Sequence, residues 1–140
     1  MNRILGDKFL GIQHIGIPVT DMSKSEAFYT RLGFDRVMRA TFPSGESEGA
    51  CIMMKRGAVI MELYQMPEPE LSRIKSRGDG HIDHITFGVH DIQAVYEELD
   101  RAGFEIIEEK PKFLNYWDNG CSYFNVLGPD NERLEFCEIL

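Results

Sequence analysis

Hydrophobic and polar positions follow one pattern in two segments of the chain that lie 70 residues apart. The first segment reads IQHIGIPVTDM (12–22) and the second reads IDHITFGVHDI (82–92). In both segments every second residue is apolar, as in a β-strand that packs one face. An aspartate and a stretch with helical spacing follow, so each copy predicts a strand and then a helix.

The alternation assigns a face to each side chain of the two predicted strands. The packed faces carry Ile15, Ile17 and Val19 in the first strand, and Ile85, Phe87 and Val89 in the second. His14 and His84 occupy equivalent positions, and both fall on the opposite face. The two copies therefore place one histidine each at the same point of the same pattern.

The repeat continues to the end of each predicted helix. Asp21 and Asp91 are predicted N-caps, and Gly33 and Gly103 suit the left-handed conformation that often follows a helix. The apolar stripes are Met22, Phe28, Tyr29 and Leu32 in the first copy, and Ile92, Val95, Tyr96, Leu99 and Ala102 in the second. Similarity over a strand, a helix and its end indicates a duplicated supersecondary unit.

Three more strands are predicted after each helix, so each half reads β-α-β-β-β. The predicted strands are 36–41, 50–55 and 58–65 in the first half, and 104–108, 121–127 and 133–138 in the second. We expect an α+β fold in which a module at 10–66 and a module at 80–140 form a single domain, 1–140. The linker at 67–79 contains two prolines and room for one helical turn.

Composition narrows the classes of protein that fit this pattern. A length of 140 residues suits one domain, and a formal charge of -8 argues against a nucleic-acid partner. Cys51, Cys121 and Cys137 form no paired motif and predict buried, reduced thiols in a cytoplasmic protein. No segment approaches the ~20 apolar residues of a membrane span, so no membrane association is expected.

In the last strand of each half, one glutamate lies on the face opposite the apolar stripe. Glu62 alternates with Val59, Met61 and Leu63, and Glu135 lies between Leu134 and Phe136. If the halves fold alike about a pseudo-twofold axis, each contributes one histidine from its first strand and one glutamate from its last. Two imidazoles and two carboxylates suit a borderline divalent metal ion, whereas four thiolates would indicate a structural zinc site.

The sequence resembles the vicinal oxygen chelate superfamily, and within it glyoxalase I, also called lactoylglutathione lyase. The resemblance covers nearly the whole chain and is carried by IQHIGIPVTDMSKSEAFYTRLGF, IDHITFGVHDI and SYFNVLGPDNERLEFCEI. It implies that the two βαβββ modules form a curled mixed sheet around a metal cleft. It also places His14, Glu62, His84 and Glu135 at the four metal-ligand positions, with Ni, Co, Mn or Zn as the ion.

The resemblance further implies a metal-dependent lyase or isomerase that transfers a proton next to a carbonyl through a metal-bound enediolate. It assigns the base to Glu135, with Glu62 as partner ligand or second base. Glyoxalase I usually carries an arginine four residues after the first ligand and an asparagine four residues after the second. Here these positions are Pro18 and Met66, so a glutathione adduct is not the expected substrate.

Three alternatives stay open at this point. A methylmalonyl-CoA epimerase would normally have glutamine in place of Glu62, an extradiol dioxygenase would bind Fe(II) through two His and one Glu, and a small-molecule binding protein would need no metal. A homodimer is expected because short members of this superfamily commonly pair their modules across chains, which leaves open whether the metal site is completed within one chain. The aromatic segment 113–120 is either a flap or a packed hairpin.

Overall fold

Twelve elements make up the computed structural model of the protein, which describes residues 3–31, 33–77, 82–127 and 133–140. A short 3-10 helix, Gly6–Lys8, is followed by β1 Phe9–Pro18, α1 Met22–Arg31, β2 Asp35–Ser44, β3 Ser47–Arg56 and β4 Val59–Gln65. Then come α2 Glu70–Lys75, β5 His84–Val89, α3 Ile92–Arg101, β6 Lys112–Leu114, β7 Cys121–Leu127 and β8 Arg133–Ile139. The predicted α+β class and the doubled β-α-β-β-β order are confirmed.

The chain divides into two compact units. The first unit is His14–Asp83, and the second unit combines Met1–Gln13 with His84–Leu140. The module boundaries at 10–66 and 80–140 stay predictions, as does the linker 67–79, whose last two residues lie outside the described part of the chain. Helix α2 supplies the helical turn expected in that linker.

The first unit orders its strands β2-β3-β4-β1. Strand β3 runs antiparallel to both β2 and β4, whereas β4 runs parallel to β1. Strand β2 contains a register shift between Arg36 and Met38 and has Pro43 near its end. The core of the unit consists of Val19, Ile52, Met54 and Leu63, with Ile17, Met22, Tyr29, Phe34 and Met61 packed against it.

The second unit orders its complete strands β5-β8-β7-β6. Strands β5 and β8 are parallel, and β8, β7 and β6 are antiparallel. Its core contains Leu5, Val89, Ile92, Val95, Leu99, Phe124, Val126 and Phe136. Ile85, predicted to share the packed face of β5, is 37% exposed instead.

Both helices begin as predicted. Asp21 Oδ1 accepts a hydrogen bond from the Lys24 backbone N–H at 3.0 Å, and Asp91 Oδ1 accepts one from Ala94 at 3.2 Å. Gly33 and Gly103 have positive φ, as expected after a helix. Helix α3 buries Ile92, Val95 and Leu99, whereas α1 buries no described residue. Phe28 is 55% exposed, so its assignment to the packed stripe was wrong, and Leu32 lies outside the described residues.

One predicted strand, 104–108, is absent from the described part of the chain except for an isolated bridge between Ile106 and Val126. The Asn125 backbone N–H donates to the side chain of Glu108 at 2.6 Å, where a continuous ladder would supply a strand carbonyl. The first of the three strands after α3 is instead the three-residue β6.

The remaining expectations from composition concern the cysteines and the membrane. Cys51, Cys121 and Cys137 are free and buried, as predicted. Within the described ranges, no helix combines the length and apolarity needed to cross a membrane.

Candidate functional site

The first unit brings His14 and Glu62 together. Strands β1 and β4 are paired so that Glu62 lies opposite Gly16, two residues after the histidine. His14 Nε2 is 3.4 Å from Glu62 Oε2, and the two side chains are 3% and 12% exposed. The sheet register therefore sets a buried imidazole beside a largely buried carboxylate.

The second unit repeats this arrangement with His84 and Glu135. Strands β5 and β8 are paired so that Glu135 lies opposite Thr86, again two residues after the histidine. His84 Nε2 is 3.8 Å from Glu135 Oε2, and the side chains are 7% and 14% exposed. The four residues predicted as ligands thus form two His–Glu pairs with identical register.

Each pair has the donor atoms and the spacing that a divalent ion requires. Two ligand atoms about 2.1 Å from one ion, at angles of about 90° to 110°, lie roughly 3.0 to 3.4 Å apart. The His14–Glu62 separation of 3.4 Å falls within this range. The His84–Glu135 separation of 3.8 Å is longer by an amount that a small side-chain rotation covers. Imidazole nitrogen and carboxylate oxygen together suit borderline ions.

Two polar residues that were not predicted as site residues adjoin Glu135. The hydroxyl of Thr86, a fully buried residue, donates to Glu135 Oε1 at 3.3 Å. Asn125 lies directly opposite Glu135 in the β7–β8 pairing and is 6% exposed. The sequence shows that Thr86 shares its strand parity with His84 and that Asn125 interrupts an apolar run, but their position beside Glu135 depends on the pairing of the strands.

The carboxylate of Glu108 holds Asn125 in place. It accepts hydrogen bonds from the Asn125 backbone N–H at 2.6 Å and from the Asn125 side-chain Nδ2 at 2.7 Å. Nothing in the local sequence indicated this pair, because Glu108 belongs to the segment that was predicted to be a strand.

The surroundings of Glu62 are different. The residues that occupy the positions equivalent to Thr86 and Asn125 are Gly16 in β1 and Met53 in β3. Gly16 has no side chain, and the thioether of Met53 has no N–H or O–H, so neither residue can donate a side-chain hydrogen bond to the Glu62 carboxylate. The two His–Glu pairs therefore share a backbone register but differ in the groups beside the carboxylate.

The aromatic segment 113–120 belongs to a hairpin between β6 and β7. Phe113 and Leu114 pair with β7, and Tyr116 is only 5% exposed. Trp117 adopts a left-handed backbone conformation with φ of 62°. The burial of Tyr116 favours the packed hairpin over the flap.

The chain belongs to the Glyoxalase/Bleomycin resistance protein/Dioxygenase superfamily, whose family model matches residues 11–136. This result confirms the resemblance that the repeated motif indicated. The matched region contains the four residues of both His–Glu pairs.

Relatives and solved structures extend this comparison. An uncharacterized protein of Bacillus subtilis (strain 168), YwbC, is 33% identical over 127 residues, which cover 89% of this chain and 94% of that protein. Methylmalonyl-CoA epimerase from Mycobacterium tuberculosis is similar with a TM-score of 0.75 and 18% identity, over 95% and 90% of the two chains. A mutant 4-hydroxymandelate synthase from Streptomyces coelicolor gives a TM-score of 0.71 at 13% identity, over 95% of this chain and 49% of that chain. At these identities the two structures show a common fold alone.

Proposed function

We propose that the protein is a metal-dependent lyase or isomerase of the glyoxalase I type that transfers a proton next to a carbonyl group. His14, Glu62, His84 and Glu135 hold one divalent ion, which is Ni, Co, Mn or Zn. The observation that carries the proposal is the His–Glu pair with the same register in both units, in a chain that belongs to this superfamily.

The chemistry follows from the character of these side chains. A divalent ion bound by the four residues would supply positive charge that stabilises negative charge on a substrate oxygen. The Glu135 carboxylate takes a proton from the carbon beside the carbonyl and returns it during the reaction. The hydrogen bond from Thr86 to Oε1 fixes the orientation of that carboxylate.

Glu62 serves as the partner ligand. Its carboxylate lies 3.4 Å from the buried His14 Nε2, and the residue opposite it in β3 is the apolar Met53, where Glu135 faces Asn125 in β7. Glu62 is therefore the second choice for the base and the first to consider if Glu135 is not required.

A methylmalonyl-CoA epimerase-like activity is the second candidate, since a structure of that enzyme shares the fold. Such an activity would also move a proton next to a carbonyl, so it differs in substrate rather than in the roles of Glu135 and the histidines. A dioxygenase would leave Glu62 of the first pair as an extra ligand, and a metal-free binding protein would need neither His–Glu pair.

The proposal is tested by measuring metal content and proton exchange on the same preparation. The metal-free chain is loaded separately with Ni²⁺, Co²⁺, Mn²⁺ and Zn²⁺, and bound metal is measured by mass spectrometry. Each form is then incubated in D₂O with α-hydroxycarbonyl compounds, including sugar phosphates, and with acyl-CoA esters, and deuterium incorporation is followed by NMR.

We expect about one metal ion per chain and metal-dependent exchange of the proton on the carbon beside a carbonyl. A chain that retains none of the four ions would be a metal-free binding protein, contrary to the proposal. Oxygen consumption by an Fe(II)-loaded sample, without proton exchange, would identify a dioxygenase instead.

A further inference from the structure

Asn125 is a polar residue at a buried position of a largely apolar strand. Its neighbours Phe124 and Val126 belong to the core of the second unit, and Asn125 itself is 6% exposed. Among the described residues, its side-chain oxygen Oδ1 has no hydrogen-bond partner. Buried polar atoms without a partner are rare in native proteins, so this oxygen calls for a ligand group or a bound water.

The orientation of the Asn125 amide is fixed by chemistry. Nδ2 donates to Glu108 Oε1 at 2.7 Å, and the same carboxylate accepts from the Asn125 backbone N–H. Turning the amide over would set Oδ1 against a carboxylate oxygen, and two acceptors cannot form a hydrogen bond. Oδ1 is therefore the atom that Asn125 presents away from Glu108.

The register places this oxygen near the proposed base. Directly opposite residues of an antiparallel pair point to the same face, with Cβ atoms about 4.5 to 5.5 Å apart. Asn125 and Glu135 are such a pair, and Thr86 lies opposite Glu135 on its other side. One face of the second unit thus carries the Glu135 carboxylate, the Thr86 hydroxyl that donates to it and the Asn125 Oδ1, which accepts no hydrogen bond from the described residues.

We propose that Asn125 Oδ1 accepts a hydrogen bond from a substrate hydroxyl next to the carbonyl, which makes α-hydroxycarbonyl compounds the substrate class. This inference rests on the proposed function, because it places the substrate beside Glu135. An acyl thioester or a carboxylate offers only acceptor oxygens at that point and cannot pair with Oδ1. Asn125 would therefore disfavour a methylmalonyl-CoA-like substrate.

The test compares two hydroxamates that carry the same metal-binding group and differ at one other group. 2-Hydroxyacetohydroxamic acid carries a hydroxyl, and propionohydroxamic acid carries a methyl group of similar size in its place. Dissociation constants are measured by titration calorimetry on the metal-loaded full chain and on two variants. Asn125→Leu removes the acceptor, and Glu108→Gln keeps the side-chain size but lets the amide turn over, because glutamine donates a hydrogen bond to Oδ1.

We expect the wild type to bind the hydroxyl probe about threefold to tenfold more tightly than the methyl probe, as one neutral hydrogen bond implies. The preference should disappear in Asn125→Leu and decrease in Glu108→Gln, which decides the matter if the leucine variant does not fold. Equal binding of both probes by wild type would show that Oδ1 serves only a bound water and would overturn the inference alone. Binding of neither probe, with no metal retained, would overturn the proposed function and the substrate class with it.

Discussion

Thr86 and Asn125 distinguish two His–Glu pairs that are otherwise built alike. Glu135 lies opposite both of these polar residues, whereas Glu62 lies opposite Gly16 and Met53. A base must be held in one orientation to accept a proton efficiently, and a hydrogen bond from a buried hydroxyl provides this. The polar residues opposite Glu135 therefore favour this glutamate as the base.

The first prediction separates metal binding from proton transfer. Glu135→Gln keeps a neutral oxygen that can contact the ion but loses the basicity that takes the proton. Bound metal should persist, although weakened, while turnover falls by at least ~10² to 10⁴, the usual contribution of general acid–base catalysis. Metal content by mass spectrometry and turnover on a substrate found in the exchange screen are compared for the same samples.

Two histidine variants provide the control for this prediction. His14→Ala and His84→Ala each remove a ligand and should lose metal and activity together. If Glu135→Gln retains nearly full turnover, the base lies elsewhere and Glu62 becomes the first candidate.

A second prediction concerns the hemithioacetal of methylglyoxal and glutathione. Pro18 and Met66 stand where glyoxalase I usually carries the arginine and asparagine that hold a glutathione carboxylate. Each hydrogen bond lost to a charged group costs about 1.5 to 3 kcal/mol, or roughly tenfold to a hundredfold in binding. We expect weak or absent activity in a standard kcat/KM measurement, whereas a value near the ~10⁸ M⁻¹s⁻¹ diffusional ceiling would contradict this reasoning.

The sequence identified the residues of both His–Glu pairs but not the groups around them. Strand parity and the repeat were enough for His14 and His84, because an alternating pattern defines the face of a strand. Thr86 and Asn125 acquire their roles from pairing with Glu135 across strands, and no periodicity within one strand contains that information. The contact between Glu108 and Asn125 depends on a loop path that only the folded chain shows.

At the scale of elements, the two equivalent helices contribute differently to their units. Helix α3 buries three apolar side chains in a core that includes Phe124 and Phe136, whereas α1 packs partly buried residues such as Tyr29 against its sheet. Their starts are alike, since a side chain from the last strand caps each one. Gln65 Oε1 accepts from the Met22 N–H at 2.9 Å, and Glu138 Oε2 accepts from the Ile92 N–H at 3.0 Å.

Because α3 buries apolar side chains and α1 does not, shortening a side chain to alanine should destabilise the protein more in α3 than in α1. Leu99 is 3% exposed in the core of the second unit, so Leu99→Ala should lower the free energy of unfolding by about 2 to 5 kcal/mol. Phe28→Ala in α1 is the control, because a side chain that is 55% exposed leaves little cavity when it is shortened. Urea unfolding followed by circular dichroism measures both, and an equal loss in the two variants would show that α1 is packed as tightly as α3.

The segment 104–108 was predicted to be a strand, but it forms only an isolated bridge with Val126. A local pattern of apolar residues does not by itself determine whether a segment pairs along its length. The apolar residues of 104–108 lie beside β7, and the Ile107 N–H donates to the Asn125 carbonyl at 2.9 Å. The backbone pairing ends at Asn125, because its N–H donates to the Glu108 side chain and not to a backbone carbonyl. The predicted ends of the remaining strands lie within a few residues of the observed ends. These strands are recognisable in the sequence because one face of each packs into a hydrophobic core, which makes apolar residues alternate.

At the scale of the whole molecule, we predict a homodimer. The expectation comes from the superfamily, in which short chains commonly pair. Each copy has a formal charge of -8, so association opposes electrostatic repulsion that salt screens over about 8 Å at physiological ionic strength. Light scattering at micromolar concentration should therefore show dimer at ~0.15 M salt, and less of it at low salt. Monomer alone under both conditions would contradict the prediction.

Strands β2 and β6, each at one edge of its unit, are protected against the addition of strands from other copies of the chain. Unpaired strand edges invite further strands to add, and natural proteins prevent this with bulges, prolines and very short edge strands. In the described part of the chain, β2 has both a bulge and Pro43, and β6 is three residues long. We therefore expect these two edges to resist amyloid-like addition of strands in concentrated solutions, and any dimer that involves them to form through side-chain packing rather than through a continuous sheet between copies.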